Sequence, residues 1–468
     1  MSIEAAKRYA EEHFDDFLDD LKQLLRIPSV SADPRHREDM QRAAEFVRDR
    51  LAAAGVETRL VATDGFPIVY GERLRSDDRP TALVYGHYDV QPPDPVDQWV
   101  SPPFEPVVRE GCVWARGATD DKGQLFTHIA AVHSWTTAAG ELPVNVKFVI
   151  EGEEEVGSRS LETFLQDNRE LLSADVAVVS DTSQYGDGIP AITYGLRGIT
   201  ACEVTVRGPR QDLHSGVFGG AVANPANVLA RLIGSLVGPD GRIAVSGFYD
   251  AVRPIGEEER RRLAALPFDE QAFLREVGVP ASFGEPEFSI LERRWCRPSC
   301  DVNGLVSGYT GEGPKTIIPQ SAVAKVSFRL VPDQDPDAVL DAVERHLRER
   351  CPPAVTLQFR RYHGCPGVVI DTDSAFMQAA RRAIRAGFGA DPVLIREGGS
   401  IPVVASFRAI LGVDTLLLGW GRNSDNLHAP NEHFHLDDFR HGMLASVALW
   451  DELARCGRQR RQSATDIA

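Results

Sequence analysis

The residues best suited to chemistry in this chain are two histidines and a scatter of acids, each placed just beyond a short apolar run. His87 and Asp89 close the stretch Thr81-Ala-Leu-Val-Tyr-Gly-His-Tyr-Asp-Val90. Asp120 lies in Ala115-Arg-Gly-Ala-Thr-Asp-Asp-Lys-Gly-Gln124, and Glu153, Glu154 and Glu155 stand together after Val144-Asn-Val-Lys-Phe-Val-Ile150. Asp181 follows Val176-Ala-Val-Val179, and His428 follows Thr415-Leu-Leu-Leu418 after a longer loop. Imidazoles and carboxylates without thiolates are hard and borderline ligands, suited to zinc, manganese or cobalt. Five of them, one bridging, would hold two ions about 3.5 to 4 Å apart. Adjacent glutamates project differently, so one of the triplet can bind metal while its neighbour stays free as general acid and base. Residue types alone leave open which glutamate does which. His87 and Asp89, two apart on a strand, point the same way, which lets the carboxylate hold the imidazole in one tautomer.

The elements that must position these residues follow one grammar, an apolar strand running into an acidic or histidine-bearing turn. In open α/β sheets ligands bind beyond the carboxyl ends of the strands, so acids placed there repeatedly are candidates for one shared site. The pattern predicts a mixed, mainly parallel sheet flanked by helices. A helix is expected over Ile3 to Leu25, where Phe14, Phe17, Leu18, Leu21 and Leu24 fall at helical spacing, and another over Met40 to Ala54 with Gly55 as its stop. Another helix should run from the Asp120 turn to about Thr137, where Asp120 could equally be a plain capping acid. Alternating strands at Ala201–Val206 and Ala322–Val331, with helices near Ala223–Leu236 and Asp335–Arg350, predict an inserted α+β module over 197–373, interrupting a catalytic module of 1–196 and 374–468. The polar tail from Arg458 is expected to fray.

Composition narrows the function classes. Lys and Arg total 51 against 68 Asp and Glu, a net charge of -17. So acidic a surface repels phosphate backbones and argues against nucleic-acid binding. No apolar run is long enough to span a bilayer, and Met1-Ser-Ile-Glu-Ala-Ala-Lys lacks a charged-then-apolar signal pattern, so a cytoplasmic address is expected. Of the seven cysteines only Cys296 and Cys300 are close together, which indicates neither a disulfide framework nor a thiolate zinc site.

Six motifs occur in an order that is highly specific: His87-Tyr-Asp-Val-Gln-Pro92, Arg116-Gly-Ala-Thr-Asp-Asp-Lys-Gly123, Glu151-Gly-Glu-Glu-Glu-Val-Gly-Ser158, Ser180-Asp181, Asp212-Leu-His-Ser-Gly-Val-Phe-Gly-Gly220 and His428-Ala-Pro-Asn-Glu432. From about Leu25 to Leu453 the chain resembles the dinuclear metallopeptidases, a family that includes carnosinases, cytosolic nonspecific dipeptidase, carboxypeptidase G-type enzymes, acetylornithine deacetylase and aminoacylases. The resemblance implies that His87, Asp120 and Asp181 hold one divalent metal and Asp120, Glu155 and His428 a second, with Asp120 bridging. It implies Glu154 as the base acting on the water between the metals, and Asp89 as the group orienting His87. Glu153 is then expected to be a solvated acid, Lys122 to support its turn, and His433 and His435 to be surface residues. His128 and His133 should be ordinary helix residues.

Tyr194-Gly-Leu-Arg-Gly198, Lys315-Thr-Ile-Ile-Pro319, Arg329-Leu-Val-Pro332 and Arg396-Glu-Gly-Gly-Ser-Ile-Pro402 resemble the carnosinase and nonspecific dipeptidase branch. In that branch the insert is a lid and dimerisation domain. The resemblance implies a homodimer in which His214 and Thr316 serve the partner's site, His214 at the oxyanion, while Arg329 and the Gly399-Ser400 turn bind the substrate's terminal carboxylate. A dipeptidase acting on short peptides is expected. The alternatives are an N-acyl-amino-acid deacylase or carboxypeptidase of the same family, and a dimeric metal-binding protein that has lost the reaction.

Overall fold

The structure, a computed structural model, describes residues 2–457. The tail from Arg458, expected to fray, lies outside the described residues. Two compact units emerge, one of Met1–Tyr194, Ile370–Ile395 and Ser406–Ala468, the other of Gly195–Val369 and Arg396–Ala405. The sequence pattern assigned everything after Ser374 to the first module, whereas Arg396–Ala405 groups with the second unit.

The first unit is built on a mixed sheet whose neighbours run Glu57–Val61, Ile68–Arg73, Asn145–Glu151, Thr81–His87, Val176–Val179, Thr415–Gly419 and then the strand beginning at Ala191. The four central strands, from Asn145–Glu151 to Thr415–Gly419, are mutually parallel, and the outer pairings are antiparallel. Every residue of Thr81–His87 and of Asn145–Glu151 is buried, as parallel strands covered on both faces require. The helix Lys122–Ala139 packs against Thr81–His87, Ile3–Glu12 and Leu436–Cys456. Its first thirteen residues are nearly all buried, so it shows little amphipathic period.

The N-terminal helix is two helices, Ile3–Glu12 and Phe14–Leu25, broken at His13, whose ring stacks on Tyr9 at 3.9 Å. Apolar spacing continues through the break, which is why the sequence pattern reads as one helix. The next helix starts earlier than expected, at Arg37, and runs to Ala53. It stops where Gly55 takes φ +76° and the Val56 N–H donates back to Leu51 O at 3.1 Å, a left-handed cap that suits glycine.

The second unit holds a four-stranded antiparallel sheet ordered Ser299–Ser307, Ser321–Leu330, Gly198–Arg207 and Thr356–Arg361. Burial alternates along its two central strands. Val204, Val206, Ala324, Val326 and Phe328 form a core with Leu229 and Leu232 of the helix Pro225–Gly234 and Leu340 and Val343 of Pro336–Arg350. This is helices on one face of an antiparallel sheet, the α+β layer that the alternation predicts. Among the described residues no helix is long and apolar enough to cross a membrane.

Candidate metal centre

Strand register brings the chemistry-bearing ends together. His87 lies beside Glu151 across one parallel pairing, and Tyr85 lies beside Val179 across the next. The Glu153–Glu155 segment and Asp181 therefore leave the sheet on either side of His87. His428 arrives on the loop beyond Thr415–Gly419, with left-handed backbone at Asn426, His428 and Asn431 (φ +57°, +58° and +64°). That conformation is uncommon outside glycine, although asparagine and histidine tolerate it better than most.

Two groups of three could each hold an ion: His87, Asp120 and Asp181, and Asp120, Glu155 and His428. Asp120 belongs to both. Its Oδ1 is 3.2 Å from His87 Nε2 and its Oδ2 is 2.8 Å from His428 Nε2, which is also 3.4 Å from Glu155 Oε2. Ligands about 2.0 to 2.2 Å from a shared ion stand at separations of this order. His87 Nε2 is buried without a hydrogen-bond partner, while its Nδ1 lies 3.1 Å from Asp89 O and 3.3 Å from Asp89 Oδ1. An imidazole with one nitrogen engaged and the other facing carboxylates fits a cation between them.

The charges fit the same conclusion. Burial pushes Glu155 up to about 8 and lifts Asp181 and Glu154 above their ordinary values, and neighbouring acids add to the effect. Burial disfavours a charged His87, yet Asp120, Asp89 and Asp181 hold its imidazole well above the usual value. The contact with Asp120 raises His428 to about 9. Burial would also raise Asp120, but the two imidazoles hold it below the usual carboxylate range. So many acids around two imidazoles lack a counter-charge that divalent cations would supply.

The turn that carries Asp120 is held by a residue to which the sequence assigned no role. Glu432, fully buried, accepts the N–H groups of Gly117, Thr119 and Asp120 at 2.8, 3.0 and 3.1 Å, and the guanidinium of Arg116 at 2.8 Å. Its signal was present in the sequence, as the acid closing the His428 motif and the cation opening the Asp120 motif. Asp120 is not a helix cap: the cap position belongs to Asp121, and neither carboxylate bonds the helix N-terminus. Asp121 Oδ2 instead accepts the His87 N–H at 3.3 Å. Buried Lys122 supports the turn, donating to Leu24 O and Ile27 O at 3.2 and 2.8 Å.

On the other flank, Asp89 Oδ2 accepts the Glu155 N–H at 3.1 Å, and Gln91 Nε2 donates to Glu155 Oε2 at 2.8 Å. Glu154 stands outside both groups. Glu153 is buried rather than solvated: its Oε2 accepts the Ser160 N–H at 3.2 Å, and it lies against Gly65, where any side chain would collide with its carboxylate. His433 is also buried, contrary to the surface position expected, and His435 is half-buried. His128 is fully buried, within 2.8 Å of Ser180 Oγ.

The remaining candidates lie in the second unit. His214 is exposed on Leu213–His214, which pairs with Ile317–Ile318, and its Nδ1 accepts the Gly216 N–H at 3.0 Å. Thr316 is exposed, and its carbonyl accepts the Ser215 N–H at 3.0 Å. Arg329 Nη1 donates to Ser400 Oγ at 3.0 Å, and Ser400 Oγ donates to Arg197 O at 2.6 Å. Gly399 is exposed, with open space where a side chain would begin.

Comparison with known proteins adds an independent result. The family described as Peptidase family M20/M25/M40 matches residues 83–452. The Cys-Gly metallodipeptidase dug1 of Schizosaccharomyces pombe is 33% identical over 470 residues, spanning 97% of this chain and 99% of that protein. The human Beta-Ala-His dipeptidase is 32% identical over 477 residues, spanning 97% and 93%. A crystal structure of an M20 family metallo-carboxypeptidase, Sso-CP2 from Sulfolobus solfataricus, superposes with a TM-score of 0.84 at 32% identity, covering 94% of this chain and 99% of that one.

Proposed function

Because this chain belongs to peptidase family M20/M25/M40 and is a metal-dependent dipeptidase within it, we propose that His87, Asp120 and Asp181 hold one divalent cation and that Asp120, Glu155 and His428 hold another. What carries this assignment is the pair of three-residue groups sharing one carboxylate, beside an imidazole nitrogen buried without a partner. Zinc is the proposed native ion, and manganese or cobalt would also suit these ligands. The ions, when bound, polarise the scissile carbonyl and acidify a water. Glu154 takes the proton of the attacking water and returns it to the leaving amine. Its burial raises its proton affinity, which suits a group that must both accept and donate. Asp89 keeps His87 in the required tautomer.

The second unit is proposed to be a lid and dimerisation module, and the protein a cytoplasmic homodimer acting on short peptides with a free C-terminal carboxylate. In favour of dimerisation, the edge strand Ser299–Ser307 exposes Val302, Leu305 and Val306 at 48, 59 and 64%, and an unpaired apolar edge invites a second chain. His214, with Thr316, serves the partner's site. The Gly216 N–H occupies His214 Nδ1, so Nε2 carries the hydrogen that would meet the oxyanion. Arg329, with the Gly399-Ser400 turn, binds the substrate carboxylate, a task for which a guanidinium fork is well shaped.

The likeness to a metallo-carboxypeptidase favours a second possibility, removal of a C-terminal residue from longer or acylated substrates. A hydrolysis screen after chelation, with zinc, manganese and cobalt restored separately, separates the two. Cleavage of dipeptides such as Cys-Gly and β-Ala-His in preference to N-acetyl-amino acids and longer peptides supports the dipeptidase. Preference for the longer or acylated substrates supports the alternative, and undiminished activity in chelated protein would overturn both.

A further inference from the structure

The strand His433–His435 runs antiparallel to Cys112–Trp114, with His435 opposite Cys112 and His433 opposite Trp114. Residues two apart on a strand share a face, as do residues directly opposed across a pair. Cys112, His433 and His435 therefore gather on one side of this small sheet, and their ligand atoms all lie within 4.8 Å of one another. Cys112 Sγ is 3.3 Å from His435 Nδ1.

Asp425, on the loop that goes on to His428, turns its Oδ1 toward both rings, 3.8 Å from His433 Nε2 and 3.9 Å from His435 Nε2. These distances are too long for hydrogen bonds. Asp425 is 0% exposed, and Oδ1 has no hydrogen-bond partner, while Oδ2 is taken by Thr119 Oγ1 and the Arg422 N–H. His433 Nδ1 lies 3.1 Å from Asn431 O, which puts the ring hydrogen on Nδ1 and leaves the Nε2 lone pair facing the carboxylate. Trp114, stacked on His433 with ring centroids 4.2 Å apart, fixes that orientation. The Asp425 Oδ1 and His433 Nε2 lone pairs face one another, an arrangement that a cation between them would relieve.

We propose that Cys112, His433 and His435, with Asp425 beside them, form a third cation site, separate from the paired centre and selective for a zinc-class ion. A thiolate and a carboxylate supply two negative charges against a dication. The thiolate also favours zinc over the manganese or magnesium that an all-oxygen and imidazole site accepts. Ligands of one tetrahedral zinc stand about 3.3 to 3.6 Å apart. The Cys112–His435 separation, made through His435 Nδ1, already meets that spacing. Because His435 offers one ion a single nitrogen, Asp425 joins through its contact with His433 Nε2, which needs to close by about half an ångström. The His435 side chain, 26% exposed, leaves the ion a way in. An ion here fastens the loop from Asp425 to His433, which presents His428, onto the Cys112 strand. Local spacing in the sequence conceals the group, because Cys112 and His435 lie 323 residues apart.

Cobalt distinguishes this site from the paired centre, whose ligands include no sulfur and give no thiolate-to-cobalt charge-transfer band. The full-length protein, stripped and reloaded with cobalt, is expected to take three equivalents per chain and to show that near-ultraviolet band. Cys112→Ser should lose the band and one equivalent. His435→Asn, at a half-buried position, should also weaken the band and serves as the test where the serine variant does not fold. Asp181→Asn should keep the band while losing cobalt from the paired centre, so failure of the third site and failure of the dinuclear assignment give different results. Wild-type protein with two equivalents and no thiolate band, or a band that survives Cys112→Ser, overturns the proposal.

Discussion

Replacing Glu432 by Gln tests whether Asp120, the acid shared by both candidate groups, is held in place from behind. Oε2 accepts Arg116 and the Gly117 N–H, while Oε1 accepts the N–H groups of Thr119 and Asp120. A glutamine keeps one acceptor oxygen, so its better orientation satisfies Arg116 and Gly117 and turns an NH2 toward two further donors. Each buried N–H left without an acceptor costs about 1 to 3 kcal/mol, so the intact turn is destabilised by roughly 2 to 6 kcal/mol. Much of that is relieved if the turn opens locally, and an open turn no longer presents Asp120 to both groups. Groups that position metal ligands typically change metal affinity by about 10- to 100-fold. Competition with a chromophoric chelator, read beside kcat/KM at limiting and at excess metal, should show affinity falling within that range and activity partly restored by excess ion. Glu432→Ala is the harsher change, because stranding the buried Arg116 guanidinium costs about 3 to 5 kcal/mol in addition. A Glu432→Gln protein that holds metal as tightly as wild type and unfolds at the same temperature would refute the positioning role.

Glu154→Gln should lower kcat by about 10²- to 10⁴-fold, the range for losing a positioned proton carrier, with metal content by mass spectrometry unchanged; normal turnover would exclude it as the base. His214→Ala should lower kcat by about 10²- to 10³-fold with little effect on KM, as expected for an oxyanion donor, and full turnover would remove it from the mechanism. Burial lowers the Lys122 ammonium to about 7, against about 10.4 in an unfolded chain. Between those values the unfolded state binds the extra proton, so this lysine makes stability rise with pH through that window and leaves it flat below. From pH 7 to 9 the wild type should gain roughly 2 to 3 kcal/mol relative to Lys122→Met in paired denaturant titrations, and parallel pH profiles for the two proteins would contradict that.

How much of this was legible in the sequence depended on whether a residue's surroundings are made by its neighbours or by distant backbone. The mixed sheet could be read because a buried parallel strand is a run of apolar residues, and Thr81–His87, Asn145–Glu151 and Val176–Val179 each end where an acid or histidine begins. The metal-ligand candidates shared that signature. Glu432 carried only the fainter mark of an acid closing one motif and Arg116 opening another, since three of its four partners are backbone N–H groups, which leave no trace in residue identity. Glu153 seemed solvated because three consecutive acids look like a surface, yet its burial rests on Gly65, which lies far back in the chain. The capping alternative for Asp120 does not hold, because one turn can place two neighbouring acids quite differently. Asp120 faces His87 and His428, and Asp121 reaches the backbone of His87.

The acids that made the centre legible also determine how it must behave. A fold that buries Asp120, Asp181, Glu154 and Glu155 around two imidazoles cannot leave them all charged without cations, and the raised proton affinities of Asp181, Glu154 and Glu155 are the electrostatic consequence. Protons and metal ions therefore compete for the same oxygens. Burial pushes Glu155 up to about 8, so an ion held there would compete with its proton. Metal uptake at the proposed centre should therefore release protons, with affinity weakening as pH falls. The same coupling suits Glu154 to its proposed part. Cations held by the two groups would lower its raised proton affinity, which would let Glu154 accept a proton and still pass it to the leaving amine. On this account ion binding and base strength are set by one charge balance, and substitutions that leave Glu154 untouched but remove a neighbouring acid should change both.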